Sequence, residues 1–90
     1  MTRSKQPNLS AREMLAVKTV ADYGSFNAAA ITLNISQPVL TRTVQRVEAQ
    51  LGITLFDRNT RSVEITEAGK EFVALSERVL NDMQIYMQAI

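Results

Sequence analysis

Two helical segments separated by a very short break constrain this chain more than any other feature. Residues 25–34 are rich in alanine, whose small side chains let a second helix approach closely. Residues 36–51 place apolar side chains four, three and four residues apart, at Leu40, Val44, Val47 and Leu51. That spacing keeps the apolar side chains on one face of an α-helix. Since Asn34 and Ile35 leave room only for a tight turn, the pair indicates a helix-turn-helix.

Local signals predict further elements on both sides of this pair. Residues 10–13, Ser-Ala-Arg-Glu, form a capping box that opens a first helix ending at Gly24. Residues 55–57 and 63–65 are predicted as two short strands, and a polar tip over 58–62 joins them. The alternation of Val63 and Ile65 fits a hairpin with one buried face. Thr66 can cap a long final helix. The predicted fold class is therefore mainly α with a small β-hairpin.

Composition excludes several function classes. The 90 residues suffice for one domain, and 46% hydrophobic with 21% charged residues is typical of a globular chain. There is no cysteine and no histidine, which removes disulfides, thiolate or imidazole metal sites and the usual neutral-pH base. No apolar run is long enough to span a membrane, and the N-terminus lacks the apolar core of a signal peptide. We therefore expect a cytoplasmic protein with no metal, no cofactor and no membrane partner.

The charge is unevenly distributed along the chain. Residues 1–62 contain eight basic and four acidic residues, a net +4, whereas residues 63–90 contain two basic and five acidic residues, a net −3. The basic N-terminal part is suited to binding a polyanion, and the acidic C-terminal part is expected to stay away from that polyanion.

The predicted second helix of the pair, residues 36–51, has a polar outer face. If the apolar stripe points inward, the residues that point largely outward are Gln37, Pro38, Thr41, Arg42 and Gln45. Glutamine can bond adenine, arginine can bond guanine or a phosphate, and threonine offers a hydroxyl and a methyl group. These residue types favour contact with DNA. The alternative is a helix face that only meets solvent, because polar residues opposite an apolar stripe are common.

The residues at the tip of the predicted hairpin also favour contact with DNA. Arg58 and Arg61 flank the tip with only Asp57 nearby to offset them, as a wing that places arginine in a minor groove requires. The alternative is an ordinary surface loop, in which Arg58 forms a structural ion pair with the adjoining Asp57. The combination of helix pair, polar face and basic hairpin is more specific than any one of them.

Five motifs in order at fixed spacing complete the pattern. They are Gly24-Ser25-Phe26 with the alanine run, Ser36-Gln37-Pro38, Val47-Glu48 before Leu51-Gly52, Leu55-Phe56-Asp57-Arg58, and Thr66-Glu67-Ala68-Gly69. In these residues the chain resembles the N-terminal domain of LysR-type transcriptional regulators. With the first and last helices the resemblance covers about residues 9–90.

The resemblance implies a winged helix-turn-helix that binds double-stranded DNA as a homodimer at an inverted-repeat operator. Helix 36–51 would enter the major groove, and the wing over 58–62 would lie toward the minor groove. Residue by residue it points to Gln37, Pro38, Thr41, Arg42 and Arg61. Thr41 stands where the family usually has serine, and Val39 stands where a smaller residue is common. The complete set of candidate DNA contacts is Ser36, Gln37, Pro38, Thr41, Arg42, Gln45, Arg58 and Arg61, with Ser36 more suited to capping the helix.

The last helix carries an apolar stripe that is broader than a domain of this size can cover. Its members recur four, three, four, three and four residues apart: Phe72, Ser76, Val79, Met83, Tyr86 and Ile90. Packing on the domain's own core accounts for the first turns only, so a partner helix is expected. The resemblance agrees, because in this family the long helix pairs with its antiparallel equivalent. The candidate dimerisation residues are Phe72, Val79, Met83, Tyr86 and Ile90.

These predictions divide the chain into a flexible N-terminal extension over 1–8, a winged helix-turn-helix over 9–66 and a linker or dimerisation helix over 67–90. The extension exceeds the family's usual start. Family members usually continue into an effector-sensing domain, so the chain is expected to be the DNA-binding part of a longer regulator. A small-molecule effector is expected only for that further domain, and a tetramer stays open for the full-length protein.

Two other function classes compete with DNA binding. One is a winged-helix module that binds only proteins, against which Gln37, Arg42 and Arg61 argue; salt-dependent binding to duplex DNA would separate the two. The other is a small enzyme. Without histidine or cysteine, catalysis would rest on Ser, Thr, Lys, Asp or Glu, and the obvious serines already serve as helix caps. We therefore predict that the chain is not an enzyme.

Overall fold

A computed structural model describes residues 8–58 and 62–90. The element order is α1 (Ala11–Tyr23), α2 (Phe26–Leu33), α3 (Gln37–Leu51), β1 (Phe56–Arg58), β2 (Val63–Ile65) and α4 (Glu67–Ala89). The predicted fold class, four helices with a small hairpin, is confirmed. Most of the predicted N-terminal extension, residues 1–7, and the wing residues 59–61 lie outside the described residues.

Each helix begins and ends on a local signal. The hydroxyls of Ser10, Ser25, Ser36 and Thr66 each accept the backbone N–H three residues on. In α1, Glu13 completes the capping box by accepting the backbone N–H of Ser10. The first three helices end on left-handed residues, namely Gly24, Asn34 and Gly52. Asparagine tolerates this conformation better than other side chains do, which explains how so short a turn separates α2 from α3.

The core lies where the first three helices meet the hairpin and the first half of α4. Its buried apolar members are Ala16, Val17, Val20, Phe26, Ala29, Ala30, Leu40, Val44, Val47, Leu55, Phe56 and Phe72. The apolar stripe predicted for α3 is thus buried, apart from Leu51, which is half-buried. The rings of Phe26 and Phe56 meet edge to face at 5.9 Å between centroids, which ties α2 to the hairpin.

The hairpin is antiparallel, with Phe56 opposite Ile65 and Arg58 opposite Val63. Its first strand begins one residue later than the sequence predicts. Leu55 is fully buried, and its carbonyl accepts the backbone N–H of Thr66 at 2.9 Å. Leu55 therefore joins the hairpin to the start of α4 instead of pairing within β1.

The start of α4 packs closely against Leu55, and α4 also packs on α1. Phe72 and Ser76 are buried there, which corrects the expectation that Phe72 faces a second chain. From residue 81 onward every residue of α4 is exposed. None of the helices in the described ranges is both long and apolar enough to cross a membrane.

Candidate nucleic-acid interface

The outer face of α3 is polar and accessible. Gln37, Pro38, Arg42 and Gln45 are exposed and Thr41 is half-buried, whereas Leu40, Val44 and Val47 are completely buried on the opposite face. The structure therefore places the predicted reading residues outward and brings them together on one side of the helix. Val39, which stands where the family commonly has a smaller residue, is 42% exposed.

The N-terminal end of α3 forms the most distinctive part of this face. Gln37, Pro38, Thr41 and Arg42 line an open concavity of about 440 Å³. Ser36 acts as the helix cap, since its hydroxyl accepts the backbone N–H of Val39 at 3.3 Å. Within the described part of the chain, Arg42 makes no ion pair. An unneutralised guanidinium next to an amide and a hydroxyl at a helix N-terminus is suited to phosphates and base edges.

Arg58, predicted as a wing contact, is held against the protein. Its Nη2 lies 3.4 Å from Oε1 of Glu48, and its guanidinium lies 4.9 Å from the centroid of the Phe26 ring. The ion pair that the sequence suggested with Asp57 is thus made with Glu48 of α3. Arg61, the second predicted wing contact, lies outside the described residues and stays a prediction.

One charged residue of this face was missed in the sequence. The Nε of Arg46 donates to Oε2 of Glu13 at 2.8 Å, linking α3 to the start of α1. The backbone N–H of Ser10 and the Arg46 guanidinium hold the pKa of Glu13 below its ordinary value, although partial burial opposes this. The spacing of four between Arg42 and Arg46 could have indicated that both arginines share a side of the helix.

The second half of α4 presents a group of exposed apolar side chains close together on one helix. Met83, Ile85, Tyr86, Met87 and Ile90 are between 44% and 87% exposed. Val79 is half-buried and marks where the stripe leaves the domain. So much exposed apolar surface at the end of one helix is unusual for a monomer and is typical of an interface.

The family model that describes the bacterial regulatory helix-turn-helix protein, lysR family, matches residues 11–70. The chain belongs to the lysR family. The matched range includes all of the first three helices, the hairpin and the start of α4, so the family resemblance read from the five motifs is confirmed.

Relatives and solved structures agree with this assignment. The HTH-type transcriptional regulator ClcR of Pseudomonas putida is 42% identical over 74 residues, which is 82% of this chain and 25% of ClcR. The chain therefore spans about a quarter of the length of that relative. In the complex of the BenM DBD with catB site 1 DNA, the protein chain superposes with a TM-score of 0.87 at 31% identity, over 90% of each chain. The CbnR DBD–DNA complex gives 0.86 at 34% identity, covering 90% of this chain and 93% of the other.

Proposed function

We propose that this lysR-family chain binds double-stranded DNA in a sequence-specific manner as a homodimer, and that it is the DNA-binding part of a longer transcriptional regulator. The single observation that carries the proposal is the outer face of α3. It presents Gln37, Thr41 and Arg42 together at the helix N-terminus, where Arg42 has no ion-pair partner among the described residues. The DNA complexes of the similar BenM and CbnR domains support it.

In the proposed complex the first turn of α3 lies in the major groove. Gln37 and Arg42 read base edges or clamp a phosphate, Thr41 contributes a hydroxyl or a methyl contact, and Pro38 packs against the groove wall. Gln45 lies one turn further along the same side. The wing, through Arg61, approaches the minor groove beside it. A bidentate contact of Gln37 or Arg42 with a base edge is worth about 1–3 kcal/mol of discrimination.

The homodimer forms through the exposed stripe on α4, so that two α3 helices face one side of the duplex. Their spacing is then one helical turn or a multiple of it, and the operator is an inverted repeat. The net −3 of residues 63–90 keeps this helix away from the phosphates. No catalytic role is proposed for the chain, and a regulator of this kind acts in the cytoplasm on the nucleoid.

Selection of bound duplexes from a random pool tests this function directly. We expect enrichment of inverted-repeat sites, and binding to an enriched duplex that weakens as salt rises. Arg42→Ala should weaken binding to that duplex by about 1–3 kcal/mol. Arg78→Ala removes the same side chain from an exposed position on α4 and should leave binding unchanged. If the wild-type chain enriches no sequence and binds no duplex, a module that binds only proteins becomes the better interpretation.

A further inference from the structure

Among the described residues, two arginines form ion pairs, Arg46 and Arg58, and they differ in how exposed their side chains are. The side chain of Arg46 is 55% exposed, whereas that of Arg58 is 31% exposed and lies over the Phe26 ring. Arg46 also follows Arg42 by four residues, so both point to the same side of α3. An exposed guanidinium beside the proposed reading face is able to meet a ligand that approaches that face.

Glu13 holds Arg46 by one edge only. The Nε of Arg46 donates to Oε2 of Glu13 at 2.8 Å, and Oε1 of the same carboxylate accepts the backbone N–H of Ser10 at 2.9 Å. In the described part of the chain, the two terminal NH₂ groups of Arg46 have no protein partner. A guanidinium fixed in this way still presents donors that match phosphate oxygens, and part of its rotational entropy is already lost.

The position of Arg46 along α3 fits the edge of a groove. Nine residues separate it from Gln37, which corresponds to about 13.5 Å along the axis at 1.5 Å per residue. The major groove of B-DNA is about 12 Å wide. When the first turn of α3 lies over base edges, Arg46 is therefore at the level of the flanking phosphates. Ala49 and Gln50 line an open concavity together with Arg46.

We propose that Arg46, held by Glu13, contacts a DNA phosphate at the edge of the groove that α3 occupies. The contact adds affinity without sequence preference, in contrast to the reading contacts at the start of the helix. This inference rests on the proposed DNA-binding function and adds to it a residue that positions the helix on the duplex.

The test is a salt titration of binding to a mixed-sequence duplex of about 30 base pairs, or three helical turns. Arg46→Gln should lower the slope of log K against log salt by about 0.9 for each protomer, or about 1.8 for the homodimer, because each protomer loses one phosphate contact. Lys18→Gln is the matched control, because Lys18 belongs to another ion pair, with Asp22 on α1 at 2.6 Å. It should leave the slope at the wild-type value.

A second variant separates a phosphate contact from a purely structural ion pair. Arg46→Lys keeps the positive charge and should keep the wild-type slope, whereas Arg46→Gln should not. An Arg46→Gln slope equal to that of wild type overturns the inference, as does an equal loss of slope in Arg46→Lys. A wild-type chain that binds no duplex at any salt concentration overturns the proposed function and this inference with it.

Discussion

The carboxylate of Glu48 accepts the backbone N–H of Leu55 at 2.8 Å, joining the C-terminal half of α3 to the beginning of the hairpin. The same carboxylate lies 3.4 Å from the backbone N of Phe56 and 3.4 Å from Nη2 of Arg58. Its side chain is only 16% exposed. One side chain of the proposed recognition helix therefore links that helix to the first strand of the hairpin.

Replacing Glu48 with alanine should lower stability markedly. The backbone N–H groups of Leu55 and Phe56 would lose their acceptor, and a buried unsatisfied donor costs about 1–3 kcal/mol. We expect a loss of this size in the free energy of unfolding from urea titration. Glu71→Ala is the control, because Glu71 is exposed on α4 and has no ion pair in the described part of the chain. Equal stabilities for the two variants would contradict the role assigned to Glu48.

Gly69→Ala should destabilise the chain, although alanine within a helix is ordinarily about 1 kcal/mol better than glycine. A Cβ at this position would overlap the carbonyl oxygen of Leu55 and lie 2.7 Å from Cγ1 of Ile65. Because the overlap is with backbone, relief requires moving α4 away from the hairpin, at about 1–3 kcal/mol. Asn81→Ala, at an exposed position of the same helix, should be neutral or stabilising. A higher thermal midpoint for Gly69→Ala would show that the junction is looser than the structure indicates.

The boundaries of the helices could be predicted from the sequence because capping is local. Ser10, Ser25, Ser36 and Thr66 each need only the backbone three residues away, and a spacing of three or four identifies the buried face. The need for Gly69 could not be predicted, since it arises from the distant Leu55 carbonyl. Nor could the periodicity of α4 show that Phe72 is buried in the domain's own core while Met83 stays exposed.

The same limit applied to the candidate site. The outward position of Gln37 and Arg42 followed from the apolar stripe of their own helix and is confirmed by their exposure. The partners of Arg46 and Arg58 were missed because Glu13 lies 33 residues before the first and Glu48 lies 10 residues before the second. Pairing at these separations is decided by how the helices and the hairpin pack.

Acid should weaken the link between α1 and α3. The pKa of Glu13 is lowered below its ordinary value of 4.5, chiefly by the backbone N–H of Ser10 and further by Arg46. The ionised carboxylate therefore adds stability above about pH 4.5, and this is lost as pH falls through the lower pKa of the folded state. Wild type and Glu13→Gln should be compared by urea titration from neutral to acid pH. Their free energies of unfolding should converge once the pH is below the folded-state pKa of Glu13. A difference that is independent of pH would rule out ionisation of Glu13 as the cause.

Substituting glutamate for apolar residues of the stripe on α4 should convert the proposed dimer into monomers. Val79→Glu combined with Met83→Glu puts two charges where the stripe leaves the domain, and burying such charges in an interface is strongly unfavourable. Asn81→Glu with Gln88→Glu adds the same charge to the opposite side of α4 and should leave dimers. Sedimentation velocity gives the mass, and circular dichroism checks that the helix persists. If the Val79 and Met83 variant sediments as a dimer, the stripe is not the interface.

The two arginines of the hairpin should have separable effects. Arg58 pairs with Glu48 and lies over Phe26, so Arg58→Ala should cost stability, with about 0.5–1 kcal/mol from the cation–π contact. Arg61→Ala, on the sequence prediction of a wing contact, should instead weaken binding to a selected operator by about 1–3 kcal/mol while the fold persists. Urea titration and a binding titration of both variants give the comparison.

This comparison decides how the wing works, because each arginine is the control for the other. Both substitutions remove one positive charge from the same hairpin, so a general loss of electrostatic attraction would weaken DNA binding equally in both. A binding defect confined to Arg61→Ala, with a stability defect confined to Arg58→Ala, would assign one arginine to the duplex and the other to the protein's own packing. An unchanged affinity for Arg61→Ala would remove the wing contact and leave recognition to α3 alone.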